Sequence, residues 1–582
     1  MELHDPIVPY TQKRRSLINS YFAWLHELRA SDAFLMRIML FIASICLLFT
    51  LAQLSMSKTV PIPATGGVLS EGVVGTPRFV NPVLAATQAD RDLVALVYDG
   101  LMRLGNDGTL VPSVAESVTV SEDGLTYNVT LKQDIYFHDG TQLTAKDIVF
   151  TVLRIQDPAL NSPLFANWSG ITVEEIGEFE LNFVLPEAYS PFIENLTFGI
   201  LPEHIWKNAN SEEFPFSQYN SEPVGSGPYR IQKIARNTSG IPEMYTLSAS
   251  PDYHGGTPKI ETITLSFFSS EQSLIDAFRE GRVESVVGVD YALIPEFQLT
   301  EKLSHIERMP LPRTYAVFIN QNKSAALRDP AARKALDSAI DRKALIDTTL
   351  GGYANVLTSP IPSGFGITAS NTPTEASADS AREILREGGW EMNENTQLWE
   401  KKIDGVLTPL QFSISTGNTS TLGATAEFIR ASWVAMGADV TVKQFEQSDL
   451  TQSVIRPRDY ETLLFATQLE RSLDYYSFWH SSQRNDPGYN IALYANITTD
   501  SILSEMRRST NTDIRNEAIQ KFAYEIQTET PAIFLYAPEL LYIVPNKVIG
   551  MTFKGVSDPS ERWSSVTDWY IRTESIWPFF TH

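Results

Sequence analysis

Three times in this chain a segment patterned for helix is stopped by glycine or proline and gives way at once to a strand-patterned run. Leu274–Glu280 ends at Gly281 before Val283–Val287, Ala424–Met436 ends at Gly437 before Val440 and Val442, and Ile514–Thr530 ends at Pro531 before Ala532–Tyr536. Glycine suits the left-handed position beyond a helix, and proline cannot continue one. Helices alternating with short strands predict helical layers on largely parallel sheets. Leu125, Tyr127, Val129 and Leu131 alternate with polar residues as a strand with one buried face. Thr144 with Asp147 predicts a helix start leading into Ile148, Val149, Val152 and Ile155. Asp329-Pro330 predicts another, with Ala332, Ala335, Leu336, Ala339 and Ile340 as its buried stripe. The region 100–200 is richer in strands and turns. The fold expected is a multi-domain α/β body with a β-rich insertion.

The run Ile38–Ala52 (IMLFIASICLLFTLA) carries no charge. Phe34 to Met36 extend it if Arg37 snorkels, and Leu54 and Met56 extend the other end, giving the ~18–20 residues that span a bilayer. Lys13, Arg14, Arg15, Arg29 and Arg37 all precede it. The positive-inside bias then puts residues 1–33 in the cytoplasm, makes 34–56 a transmembrane signal anchor, and leaves everything after Lys58 outside. A cleaved signal peptide, cut near Gln53, is the rival reading; the long stretch before the apolar run weighs against it. Cys46 lies inside the run rather than at its end, which suits a small apolar helix residue and not a lipidated one. Leu17, Ile18, Tyr21, Phe22, Trp24, Leu25 and Leu28 fit either an amphipathic helix on the inner leaflet or a loosely ordered tail.

Composition narrows the chemistry. Asp and Glu number 69 against 46 Lys and Arg, a net charge of −23, which disfavours any nucleic-acid partner. A single cysteine excludes a disulfide framework and a cysteine-based zinc site. There is no HExxH pair, no GxxxxGK[ST] loop, no GxGxxG turn and no GxSxG elbow. Gly225-Ser226-Gly227 has Val224 and Pro228 where the elbow needs glycine. The eight histidines never pair at a ligand spacing, and each alone reads as a satisfied surface or core residue. No catalytic residue, metal site or cofactor is expected, which moves the reading from enzyme to binding protein.

Two longer stretches carry a family likeness. They are Glu71–Ser117 (EGVVGTPRFVNPVLAATQADRDLVALVYDGLMRLGNDGTLVPSVAES) and Gly124–Thr151 (GLTYNVTLKQDIYFHDGTQLTAKDIVFT). Further matches follow in order: Leu201-Pro202-Glu203-His204, Pro223–Tyr229 (PVGSGPY), Pro251-Asp252-Tyr253-His254-Gly255-Gly256, Asp329–Arg342 (DPAARKALDSAIDR), Ala381–Trp390 and Pro531–Tyr536. The chain resembles the family 5 extracellular solute-binding proteins, the dipeptide- and oligopeptide-binding components of ABC importers. Read singly, His138-Asp139-Gly140 is a turn, Gly225-Ser226-Gly227 a tight backbone passage, and Arg333 and Asp341-Arg342 ion-paired helix residues.

The resemblance implies a periplasmic-binding-protein-like type II fold: two α/β lobes, a hinge, and an extra domain. Lobe I would be 66–110, 219–309 and 547–582, the extra domain 111–218, and lobe II 310–546. It implies a monomer that captures a peptide or similar small solute between the lobes and delivers it to the permease subunits of an ABC transporter. It also implies ligand contacts at Gly75, Thr76, Pro77, Arg78 and Phe79, and at Thr467, Gln468, Leu469, Glu470 and Asp474. Many dipeptide binders carry an aspartate on that second segment to pair the ligand's amino terminus. Leu469 stands there in this sequence with Glu470 beside it, so the substrate class stays open. A membrane-anchored sensor built on the same fold and a cleft enzyme such as a peptide hydrolase are the alternatives.

Overall fold

The computed structural model describes residues 30–58, 60–365, 367 and 376–576. The stretch Ser16–Leu28 and the basic residues from Lys13 to Arg29 lie outside the described residues. The chain divides into two compact units, one of residues 1–64 with 572–582 and one of residues 65–571.

The first unit contains a continuous helix, Ala30–Lys58, 29 residues long. Apart from the half-buried Met36, its described large apolar side chains stand exposed, from Phe34 at 65% to Phe49 at 62%. Past Thr50 the helix's side chains are not among those described, and among the described residues no helix is long and apolar enough to cross a membrane. The expected transmembrane anchor over 34–56 therefore gains no support from the described side chains. After the helix, strand Val60–Ala64 pairs antiparallel with Arg572–Ile576, with Val60 opposite Ile576 and Ala64 opposite Arg572.

In the second unit a 12-stranded sheet is the frame. Along its path lie Asp439–Phe445, Gln411–Gly417, Thr462–Gln468, Arg313–Ile319, Ala532–Pro545, Ser285–Val287, Val68–Val74, Thr262–Phe268, Pro242–Ala249 and Tyr229–Arg236. Ser304–Pro310 and Ala354–Val356 also pair with Ala532–Pro545. The sheet is mixed, not largely parallel as the sequence predicts. Helix crossovers do give parallel neighbours: Thr262–Phe268 and Ser285–Val287 both run parallel to Val68–Val74, and Gln411–Gly417 to Asp439–Phe445. The long strand Ala532–Pro545 runs antiparallel to every strand it touches, and that reversal was invisible in the local pattern.

Local readings of the sequence are met where one element decides them. Thr126–Leu131 is a strand with Tyr127, Val129 and Leu131 buried. It belongs to a four-stranded antiparallel sheet with Ala115–Val120, Glu180–Val184 and Thr172–Gly177. Helix Ala145–Ile155 starts with the Thr144–Asp147 capping box, and Asp329 caps Pro330–Ser338 by accepting from the amides of Ala331 and Ala332. Gly140 has φ +87° in the turn after His138-Asp139. At Gly225 a Cβ would sit 2.0 Å from the Val97 carbonyl oxygen, so only glycine fits the passage against that helix end. Asp341 caps the helix Arg342–Thr349, and Arg342 does ion-pair, with Asp337. Arg333 instead donates to the carbonyls of Leu327, Arg328 and Glu529, serving helix ends rather than an acid.

Four apolar clusters fill the interior. Two draw only on residues from Ala316 to Ala537. The other two draw on residues from Leu69 to Leu311 and from Leu540 to Trp569.

Candidate functional site

A cavity of about 550 Å³ opens where four stretches converge. Its lining comes mainly from residues 82–104, 164–168, 194–199 and 557–567. Glu470 and Arg471 close it from the end of strand Thr462–Gln468.

Of the residues expected to touch ligand, only Glu470 lines this cavity. Leu469 donates its amide to the Pro312 carbonyl and buries its side chain at 4% exposure. The strand ends at Gln468, and one residue beyond Leu469 the chain turns Glu470 into the cavity. No bulge is needed, because Glu470 has already left the ladder. Thr467 is buried opposite Thr314, and Gln468 accepts from Arg313 Nε at 2.8 Å. Asp474 is held by Arg507 at 2.9 Å, with the Tyr189 hydroxyl at 3.5 Å and the Tyr476 amide at 3.1 Å. Its carboxylate already has its cation.

The early segment is also tied down by the protein itself. Gly75 (φ +107°) donates its amide to Phe268, prolonging the strand pairing. The Arg78 and Phe79 amides donate to Asp90 Oδ1 at 2.6 and 2.9 Å, while Asp90 Oδ2 takes the amides of Ala86 and Thr87. Arg78 lays its guanidinium over the Phe79 ring, 5.5 Å from the centroid. Thr76 is exposed and Pro77 buried. Gly75 to Phe79 therefore form a loop fastened to the capping box of helix Gln88–Val97, and none of them lines the cavity.

Residues that the sequence did not single out dominate the walls. Glu194 lines the cavity; burial, and then the nearby Glu470 carboxylate, push it up to about 8. Glu470 is pushed up as well, by loss of water first and Asp474 second. Among the described residues neither acid has a lysine or arginine within ion-pairing distance. The other wall acids are engaged. Glu561 pairs with Arg471 at 2.5 Å, Asp558 with Arg91 at 2.9 Å, and Asp99 with His254 at 2.5 Å and the Tyr253 hydroxyl at 2.9 Å. Arg471 also donates to the carbonyls of Gly555 (2.9 Å) and Gly108 (3.3 Å), which binds the segment after Gln468 to both of those loops.

The stretch 557–567 is fixed by its own Arg562. It is fully buried and donates to Glu71 Oε1 and, at 2.6 Å, to Asp92 Oδ1, both also fully buried. Its guanidinium lies 4.6 Å from the Trp563 ring. Two carboxylates share one cation, and burial pushes Glu71 up despite Arg562; the Tyr542 hydroxyl, 2.6 Å from Glu71 Oε2, and Ser285 complete the shell. Among the described residues no group of three or more His, Cys, Asp and Glu side chains is arranged to hold a metal ion.

The model for bacterial extracellular solute-binding proteins, family 5 Middle, matches residues 109–496. The oligopeptide-binding protein AppA of Bacillus subtilis is 24% identical over 536 residues, covering 89% of this chain and 94% of its own. The structure of Bacillus subtilis AppA with a nonapeptide superposes with a TM-score of 0.60 at 23% identity, over 88% of this chain and 100% of that one. NikZ of Campylobacter jejuni, solved with Ni(L-His), gives 0.63 at 22% identity, over 86% and 99%. These likenesses show a shared α/β solute-binding-protein fold. The chain belongs to the family 5 extracellular solute-binding proteins.

Proposed function

We propose that this family 5 solute-binding protein captures a small solute carrying a positively charged group, a peptide or a similar molecule, in the 550 Å³ cavity and delivers it to an ABC permease. The volume suits a small solute, since such pockets span about 300–1,000 Å³. The observation that carries the reading is the pair Glu194 and Glu470, two buried carboxylates on one cavity on which Arg471, Arg515 and Arg507 act only from beyond ion-pairing distance. A cationic group between them would return both to the charged form and gain charge-assisted hydrogen bonds. A free amino terminus is one such group. The relatives are consistent: Bacillus subtilis AppA is named for oligopeptides and NikZ was solved with a nickel–histidine complex.

In this proposal the body consists of two lobes, 66–110 with 219–309 and 547–571 against 310–546, with 111–218 as an added domain. Three facts support the division: the apolar clusters split at residues 311–316 and 537–540, residues 115–184 form a sheet of their own, and Ala532–Pro545 pairs with strands from both parts. The crossings at Leu311-Pro312 and Pro538 would act as the hinge. Ligand touching Glu194 and Glu470 at once favours the closed state, and Arg471 with Glu561 latches it. Gly75–Phe79, Thr467–Leu469 and Asp474 would shape the loops around the site.

The tether belongs to the same reading. Helix Ala30–Lys58, at about 1.5 Å per residue, is ~43 Å long, the thickness of a bilayer with its headgroups. Supporting this is the uncharged run Ile38–Ala52 in the sequence.

Native mass spectrometry of the purified chain tests the ligand. A co-purifying solute of defined mass with an amine or other cationic group is expected. Recovery only of an anionic or uncharged solute would remove Glu194 and Glu470 from the reading.

A further inference from the structure

Three short stretches far apart in the sequence meet on a second cavity, of about 540 Å³. His138 and Gly140 come from the turn around Asp139, Ser226 from the Gly225-Ser226-Gly227 passage, and Asp252 to His254 from a third turn. The backbone fastens them to one another. The His138 amide donates to the Gly225 carbonyl, and the Ser250 amide to the Pro228 carbonyl. Of the lining residues only Tyr253 also lines the larger cavity, and neither Glu194 nor Glu470 reaches this one.

Three polar atoms on these stretches have no hydrogen-bond partner among the described residues: His138 Nδ1, Ser226 Oγ and His254 Nδ1. Ser226 is 3% exposed and the His254 side chain 6%. Buried polar atoms are ordinarily paired, so three orphans around one cavity point to a ligand. Each shows less than 1 Å² to solvent, so the ligand reaches them by parting the turns slightly.

The chemistry of these groups narrows what fits. His138 Nε2 lies 2.9 Å from the Gly227 carbonyl oxygen, to which it donates. Burial first holds this ring below the usual histidine range, so at neutral pH its Nδ1 is a bare lone pair. His254 Nε2 donates to Asp99 at 2.5 Å, which leaves Nδ1 an acceptor on a neutral ring and a donor on a charged one. The Ser226 hydroxyl can do both. On the exposed rim Asp134 and Asp252 bring carboxylates and Arg230 a guanidinium. An anion would face the two carboxylates, and a cation the guanidinium. No group of three His, Cys, Asp and Glu side chains among the described residues is placed to hold a metal ion. A hydroxyl both donates and accepts, so it suits every one of these groups. The exposed Tyr136 ring adds an apolar face for the carbon skeleton that carries the hydroxyls.

We propose that this second cavity binds a neutral polyhydroxylated molecule, a sugar or a cyclic polyol, at a site separate from the cavity of Glu194 and Glu470. Its hydroxyls donate to His138 and the rim carboxylates, accept from Arg230, and take either role with Ser226 and His254. The site does not depend on which solute the larger cavity carries.

Saturation-transfer NMR on the full chain, with myo-inositol, D-glucose and sucrose as probes, tests this. Expected is saturable transfer to at least one probe, persisting in Glu194→Gln/Glu470→Gln. Ser226→Ala should weaken that probe about 3- to 10-fold. It should also leave the melting midpoint of the ligand-free chain unchanged or raised, because it removes an unpartnered buried hydroxyl. Arg230→Gln, on the exposed rim, should weaken the probe to a similar degree and carries the test if Ser226→Ala fails to fold. Transfer to none of the three probes overturns the inference. So does transfer abolished by the glutamate pair, or transfer insensitive to both Ser226→Ala and Arg230→Gln. A midpoint that falls in Ser226→Ala while the probe binds as before assigns the hydroxyl to the framework and overturns it as well.

Discussion

Glu194 and Glu470 show what a single residue means once its surroundings are known. Among 69 acidic side chains neither stands out in the sequence. Glu470 was legible only as the neighbour of Leu469, and Glu194 not at all, because what distinguishes them is burial beside another carboxylate without a described lysine or arginine in ion-pairing contact. A carboxyl held up near 8 binds its proton in the folded chain and releases it in the unfolded one at neutral pH. Unfolding free energy of the ligand-free protein should therefore fall as pH rises from the ordinary glutamate range to about 8. Glu194→Gln should flatten that slope in urea titrations, and an unchanged slope would assign the proton elsewhere. Glu470→Gln should weaken a free-amine ligand by about 10- to 100-fold while leaving its acetylated form nearly unaffected. Arg562 gives the contrasting case of a buried charge used for construction. Arg562→Met, leaving Glu71 and Asp92 without their cation, should cost about 3–5 kcal/mol. Glu71→Gln keeps the shape of a carboxyl that burial already pushes toward neutrality, and should cost less. Reversal of that order in denaturant midpoints would reject the shared-cation account. The triad was hidden from sequence reading because its members are 470 and 491 positions apart.

Elements were legible where their own residues decide them. Thr126–Leu131 alternates, and the caps at Thr144 and Asp329 bond within their own turns, so pattern and structure coincide. The strand Ala532–Pro545 was read only to Tyr536, because all fourteen residues are buried and a strand covered on both faces has no alternation to follow. Its antiparallel direction is set by partners far away in the chain. The passage at Gly225 is decided by its neighbour rather than its own conformation. Gly225→Ala puts a methyl against the Val97 carbonyl and should cost about 1–3 kcal/mol or more. Gly140→Ala meets nothing within 4 Å and should carry only the left-handed penalty, about 1–2 kcal/mol. Equal midpoints for the two variants would contradict this packing.

At the scale of the molecule, family resemblance was legible because its motifs are turns, caps and tight passages whose residues lie together in the sequence. The ligand was not, because in the proposed site the cavity lining is brought together from 82–104, 194–199, 470–471 and 557–567, far apart in the sequence. Arg471 latching to Glu561 predicts that ligand reduces the radius of gyration in solution scattering, and that Arg471→Met expands the ligand-free protein. The central claim is that the cavity holds a solute by its positive group. Its most direct test is calorimetric titration of the stripped protein with the solute recovered from it, alongside the Glu194→Gln/Glu470→Gln variant. Expected is one-to-one binding that tightens as pH rises toward about 8, where the carboxyl ionises while a ligand ammonium is still charged, and that weakens by at least about tenfold in the double variant. Binding that is indifferent to both pH and the double substitution would contradict it.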